Sequence, residues 1–145
     1  MSFHKRFASN VDAVENGKWF DIGDGIRFKA RSPRSAHSQA TRKELEGEFA
    51  ALIKMGREIP EKDQDRLFTA QLSKSILIEW EGVTLPTGEK DEKGEDVYAV
   101  VPSDEEGFLS VLKNPTYADF KAVIVRVVTD DDAFRAKARE ADAKN

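Results

Sequence analysis

Two hydrophobic periods run through this chain, and the shorter one is confined to a single stretch near the start. From Trp19 to Arg31 apolar and polar residues alternate on either side of Gly23-Asp24-Gly25. That is the pattern of a half-buried β-hairpin, assigned to residues 18–31. With these three residues as the loop, Ile22 faces Ile26 and Phe20 faces Phe28, while Asp21 meets Arg27 and Trp19 meets Lys29. A two-residue Asp24-Gly25 loop would instead set Asp21 against Phe28 and Phe20 against Lys29, mixing the faces. A one-residue slip carries every side chain to the wrong side of the sheet, so the three-residue loop is preferred. Gly25 supplies the positive φ that closes such a turn without steric cost.

Outside the hairpin the period lengthens. Phe3, Phe7, Val11 and Val14 mark a short N-terminal segment, residues 1–17, in which the two phenylalanines are candidate anchors and at most one helical turn is expected. After the Ser32-Pro33-Arg34-Ser35 break, Leu45, Phe49, Leu52 and Ile53 predict an amphipathic helix from about Ser38 to Gly56, with Gly56 as its C-terminal cap. Pro60, Glu61 and Asp63 start a second helix, whose stripe of Leu67, Phe68, Leu72, Ile76, Leu77 and Trp80 runs to a stop at Gly82. Leu85-Pro86-Thr87-Gly88 reads as a turn, and residues 86–96 as an exposed loop. Val97–Val101 is β-prone and is a candidate third strand beside the hairpin, which on its own is marginal in water.

Ser103-Asp104-Glu105-Glu106 fits a capping box with Ser103 as the cap, opening a short helix around Phe108, Leu109 and Leu112. Asn114-Pro115 opens another. Its segment Ala122–Val128 has strand propensity, yet the spacing of Tyr117, Phe120, Ile124 and Val127 favours helix. Thr129 with Asp130–Asp132 reads as a cap leading to a tail helix around Phe134, and residues 136–145 as a fraying end. The fold expected is α+β, mainly α: one N-terminal hairpin packed on a bundle of four to five helices over residues 38–135, in a single domain.

Length and composition narrow the function. A chain of 145 residues suits one core. Its net charge of −4 speaks against a nucleic-acid partner, which calls for a basic excess. With no cysteine, thiolate chemistry and cysteine-bound metal are excluded. No stretch has the length of a membrane span or of a signal-peptide core, so a soluble intracellular protein is expected. His4 and His37 stand apart in polar surroundings, outside any metal-ligand or triad spacing. Gly23-Asp24-Gly25 lacks the Lys-Ser/Thr ending of a phosphate loop, and Asp130–Asp132 suits a helix start better than a cation site. No catalytic residue, cofactor or metal is assigned.

Binding features are softer. Trp19, on the polar side of the hairpin beside Lys29, either packs on the N-terminal segment or anchors a partner. The Ala122–Val128 helix is apolar nearly all round and needs cover from its own fold or from a second subunit. Trp19, Lys29, Val123 and Val125 are therefore the candidate partner-binding residues, and a homo-oligomer is left open.

One resemblance adds to this. The ordered set Asn16-Gly17-Lys18-Trp19-Phe20-Asp21-Ile22-Gly23-Asp24-Gly25, Ile76-Leu77-Ile78-Glu79-Trp80-Glu81-Gly82, Leu112-Lys113-Asn114-Pro115, Asp119-Phe120 and Asp132-Ala133-Phe134 resembles the tail assembly chaperones of long-tailed bacteriophages and prophages. It spans about residues 16 to 135. The charged 89–96 loop is longer than the polar turn of that family, and Val101-Pro102-Ser103 replaces its tyrosine-serine step. The resemblance implies a hairpin, then a helix ending in a Trp-Glu-Gly-like turn, then C-terminal helices. It also implies a non-enzymatic protein of the host bacterial cytoplasm that keeps the tape-measure protein soluble, brings tail-tube protein to it, and is absent from the mature virion. The alternative is a small tail-completion or head–tail connector protein retained in the particle. A hydrolase built on the acidic residues is the weakest reading.

Overall fold

The computed structural model describes residues 2–136. It is a small α+β protein in which helix outweighs strand, 51% against 22%. In chain order the elements are α1 (Ser2–Phe7), α2 (Val11–Asn16), β1 (Lys18–Gly23), β2 (Ile26–Ala30), α3 (Ala36–Leu45), α4 (Ala50–Lys54) and α5 (Glu61–Gln71). Then come β3 (Leu77–Glu81), β4 (Thr84–Lys90), β5 (Asp96–Val100), α6 (Glu105–Leu112) and α7 (Ala118–Thr129). Strands pair antiparallel as a three-stranded sheet in the order β1-β2-β3 and a separate two-stranded sheet, β4-β5.

The hairpin keeps its expected register by an unexpected route. Trp19 pairs with Lys29, Phe20 with Phe28 and Asp21 with Arg27. The loop, however, is the two-residue Asp24-Gly25, both at positive φ (57° and 76°), the requirement of a type I′ turn. The pairing then shifts between Asp21 and Gly23, so Gly23 and not Ile22 stands opposite Ile26. Ile22 is the extra residue of a β-bulge, and its one-residue offset cancels the one-residue offset of the tighter turn. The Asp21 carboxylate fixes the bulge by accepting the Gly23 N–H at 2.9 Å.

The second helix is shorter than its apolar stripe. After α5 the chain makes one π-helical turn, Leu72–Ile76, and straightens into β3. Phe28 faces Trp80, Lys29 faces Glu79 and Arg27 faces Glu81. The third strand is thus residues 77–81, not 97–101, and Trp80-Glu81-Gly82 closes a strand, unlike the helix end that the resemblance implies. Pairing decides the outcome: β2 has a free edge, and a β-branched and aromatic segment satisfies its backbone while burying Leu77 and Trp80. Segment 84–100, expected to hold a turn, an exposed loop and that third strand, is instead an arm of β4 and β5. Thr84 pairs with Val100, Leu85 with Ala99 and Pro86 with Tyr98. Its tip is held by Asp91, whose carboxylate accepts the N–H groups of Lys93 (2.8 Å) and Glu95 (2.9 Å).

Other boundaries shift for local reasons. The expected 38–56 helix is interrupted by a 3-10 turn at Glu46–Phe49, which contains the weak helix former Gly47. Gly56, at φ +74°, ends it as expected. Phe3 and Phe7 do not dock: they are 78% and 59% exposed, with ring centroids 5.4 Å apart on the outward side of α1. The cap of α6 is Asp104, whose carboxylate accepts the Gly107 N–H at 2.7 Å. Ser103 is drawn away to β3, its hydroxyl accepting the Trp80 N–H at 3.0 Å. Asn114 caps the following turn through the Thr116 N–H, and Ala122–Val128 is helical within α7. No tail helix forms at Phe134. Residues 131–134 turn, Arg135 bridges to Ser9, and Phe134 is buried edge-on against Phe20 (5.6 Å, 77°). The end of the expected fraying tail, residues 137–145, lies outside the described residues.

The core joins the inner face of the three-stranded sheet (Phe28, Ala30, Leu77, Trp80) to Leu72 and Ile76 of the π turn. Phe108, Val111 and Leu112 of α6, with Ile124 and Val128 of α7, complete it. Gly82 shows how closely the sheet closes. It sits at φ +81°, and a Cβ there would meet the Gly25 carbonyl and the Ile26 Cα of the hairpin loop. Gly82→Ala is expected to lower the unfolding free energy by about 1–3 kcal/mol. Gly88→Ala, also at positive φ but in open space, should cost only about 1 kcal/mol. Urea denaturation of the two variants checks this, and equal losses would contradict the close approach.

Candidate protein-interaction surfaces

The outer face of the three-stranded sheet is a ladder of charges around one aromatic ring. Side chains alternate across a strand, so Trp19 and Asp21 of β1, Arg27 and Lys29 of β2, and Glu79 and Glu81 of β3 share that face. Arg27 grips Glu81 with two hydrogen bonds, Nε to Oε1 at 2.7 Å and Nη2 to Oε2 at 3.0 Å. Its guanidinium carbon lies 4.1 Å from the Trp19 ring centroid, a cation–π contact. The Glu81 hydrogen bond raises the pKa of Arg27, with Asp21 and Glu79 adding to the attraction. The same bond holds the Glu81 carboxyl below its usual value. Trp19 is half-buried, and Lys29 lies between Trp19 and Glu79 in register. Two of the four candidate residues are therefore neighbours on one surface.

The other two are not. Val123 and Val125 are both half-buried on α7, but at about 100° per residue they lie about 200° apart around the helix. Val125, with Val127, packs against the core on the flanks of Ile124 and Val128. No single partner surface can use both valines, and neither joins Trp19 and Lys29 across a shared strand pair.

A larger feature escaped the residue patterns: an open cleft of about 700 Å³ between α3, α4 and α5. Leu45, Ile53, Ile59, Leu67 and Phe68 supply its apolar lining, and Arg42, Glu46, Arg57, Glu58 and Gln64 its polar lining. Ile53 is 46% exposed. At its inner end Gln71 is held by Ser38, donating from Nε2 to the hydroxyl at 2.8 Å and to the carbonyl at 3.2 Å. The break at Glu46–Phe49 and the Gly56 turn set α4 apart from α5, so the two helices do not close on one another. Ile59 was the available signal, an apolar residue between two helices and outside either stripe.

Arg31 donates from Nε to the Glu15 carbonyl at 3.0 Å and from Nη1 to the Ser75 carbonyl, and burial lowers its pKa. Among the described residues no cluster of His, Asp and Glu is arranged to hold a metal ion. Among the same residues no helix is long and apolar enough to cross a membrane. Comparison with protein families, with curated proteins and with solved structures finds no match for the chain.

The Arg27–Glu81 pair carries a pH dependence of definite sign. The folded-state pKa of Glu81 lies below its unfolded value, so the pair stabilises the fold above that unfolded value and is lost as pH falls through the folded one. Both side chains face water, so the effect is small. The measurement is thermal denaturation from pH 7 down to below the ordinary glutamate value of 4.5. The wild-type advantage over Glu81→Gln should be present at pH 7 and vanish at the acid end; an advantage that grew on acidification would refute the assignment.

Proposed function

We propose that this chain is a non-enzymatic tail assembly chaperone of a long-tailed bacteriophage or prophage. In this reading it binds the tape-measure protein through the cleft between α3, α4 and α5, keeps that protein soluble, and helps bring tail-tube subunits to it. It acts in the host bacterial cytoplasm and is absent from the mature virion. The observation that carries the reading is the cleft itself: an open groove lined by apolar side chains together with charges of both signs. A groove of that make-up suits one face of an amphipathic helix, with anchors spaced three and four residues apart. The partner class comes from the resemblance, which implies a long, largely helical client.

Chaperoning of this kind asks two things of a surface: reversible apolar contact, and charge that keeps the complex in solution. Leu45, Ile53 and Ile59 supply the first. The charged 34% of the chain supplies the second.

Co-expression with the tape-measure protein of the same phage, followed by affinity capture, tests the proposal. The client should become soluble and co-purify. Ile53→Asp with Ile59→Asp should cut its recovery about tenfold or more, the effect of losing a central apolar anchor, with the helical circular dichroism unchanged. Absence of co-purification, or stoichiometric presence of the chain in purified virions, would overturn it; the second result would favour a structural tail protein.

A further inference from the structure

Two apolar patches stay open to solvent away from the cleft and the sheet face. The first is the N-terminal stripe, where Phe3, Phe7 and Val11 are 78%, 59% and 69% exposed. Lys5 and Arg6 lie between the two phenylalanines, and α1 has no acidic residue in its first turn. The second is the arm of β4 and β5. Pairing of Pro86 with Tyr98 and Thr84 with Val100 places these four on one face, because strand side chains alternate. Leu85 and Ala99 occupy the other face, where Leu85 packs against the core. The outward face is left with Tyr98 and Val100, 59% and 78% exposed.

Charge distinguishes the two patches. The tip of the arm carries Glu89, Asp91, Glu92, Glu95 and Asp96 against Lys90 and Lys93. Lys90 is committed to Asp96 at 2.6 Å. Among the described residues Glu89, Glu92 and Glu95 are in no ion pair, and neither is Lys5. One patch is therefore apolar and basic, the other apolar and acidic.

We propose that the outward face of the β4–β5 arm receives α1 from a second copy of this chain. Phe3 and Phe7 would lie against Tyr98 and Val100, and Lys5 and Arg6 against the arm's unpaired glutamates. Within one molecule both patches remain exposed, so neither covers the other, and the complementary surface is supplied in trans. A two-fold dimer makes the contact twice, α1 on arm and arm on α1. With ~150–250 Å² per aromatic side chain and less for valine, the exposed parts of Phe3, Phe7, Tyr98 and Val100 come to roughly 500 Å² per contact and roughly 1,000 Å² for the pair. That reaches the lower bound of specific protein interfaces. The arm also gains support, since a two-stranded sheet is marginally stable alone. This inference does not rest on the chaperone reading.

Sedimentation velocity of the full chain, from about 1 to 100 µM and at low and high salt, tests it. Wild type should reach a dimer whose dissociation constant rises with salt. Tyr98→Asp and Phe7→Asp should each leave a monomer, and both residues are exposed enough that the far-UV circular dichroism should hold. Lys5→Glu with Arg6→Glu should weaken the dimer tenfold or more, and adding Glu92→Lys with Glu95→Lys should restore it. A wild-type monomer at every concentration, a dimer indifferent to Tyr98→Asp, or failure of the charge swap to rescue overturns the proposal. So does a monomer whose α1 instead drives co-sedimentation with vesicles of anionic phospholipid.

Discussion

The indole of Trp80 is where the separate parts of this molecule meet. Its backbone pairs with Phe28 of the hairpin, its ring packs edge-on against Phe108 of α6 at 4.8 Å, and Phe120 of α7 lies 6.0 Å away. The indole Nε1–H donates to the Val101 carbonyl at 3.0 Å, at the base of the arm. The Trp80 backbone N–H, at the open edge of β3, is taken by the Ser103 hydroxyl. Buried Trp must satisfy its one polar atom, and here that atom fixes where the arm departs. The Ser103 side chain caps the sheet edge at Trp80 in the same step, accepting from its N–H and donating to its carbonyl at 3.3 Å.

From this arrangement the surfaces follow. Because Trp80 and Phe28 point inward, Arg27, Glu79 and Glu81 must point outward, and the outer face becomes a charge ladder around Trp19. Because Val101 is tied down while Tyr98 and Val100 are not, the arm leaves the body with one apolar face uncovered. The cleft has a different origin. It comes from the interruption at Glu46–Phe49 and the turn at Gly56, which hold α4 away from α5 and leave Ile53 and Ile59 lining an open groove.

Several elements were legible from residue order alone. The pairing of Trp19, Phe20 and Asp21 with Lys29, Phe28 and Arg27 follows from alternation and from the cost of mixing faces. The helix at Ala122–Val128 follows from its Asn-Pro start and from spacing, against its strand propensity. Others could not be read locally. Leu77 and Trp80 fit a helical stripe as well as a strand, and the choice was made by the free edge of β2, some fifty residues earlier in the chain. Pro86 and Gly88 are turn formers that a bulged strand tolerates. Of the candidate interaction residues, Trp19 and Lys29 share a surface, whereas Val123 and Val125 sit on opposite flanks of their helix. The cleft was invisible because it is an absence of closure between helices, which no single stripe encodes.

The sequence by itself determined what is set within a few residues: the faces of the hairpin, the helix starts at Pro60 and Asn114, the stop at Gly56, and a highly charged surface around a modest core. Tertiary structure alone decided the third strand, the β4–β5 arm, the transfer of Ser103 from helix cap to strand edge, and the burial of Phe134. The reason is one of range. Turn chemistry, capping and periodicity act between near neighbours, while strand pairing and the satisfaction of a buried indole draw on whichever distant segment the fold brings alongside.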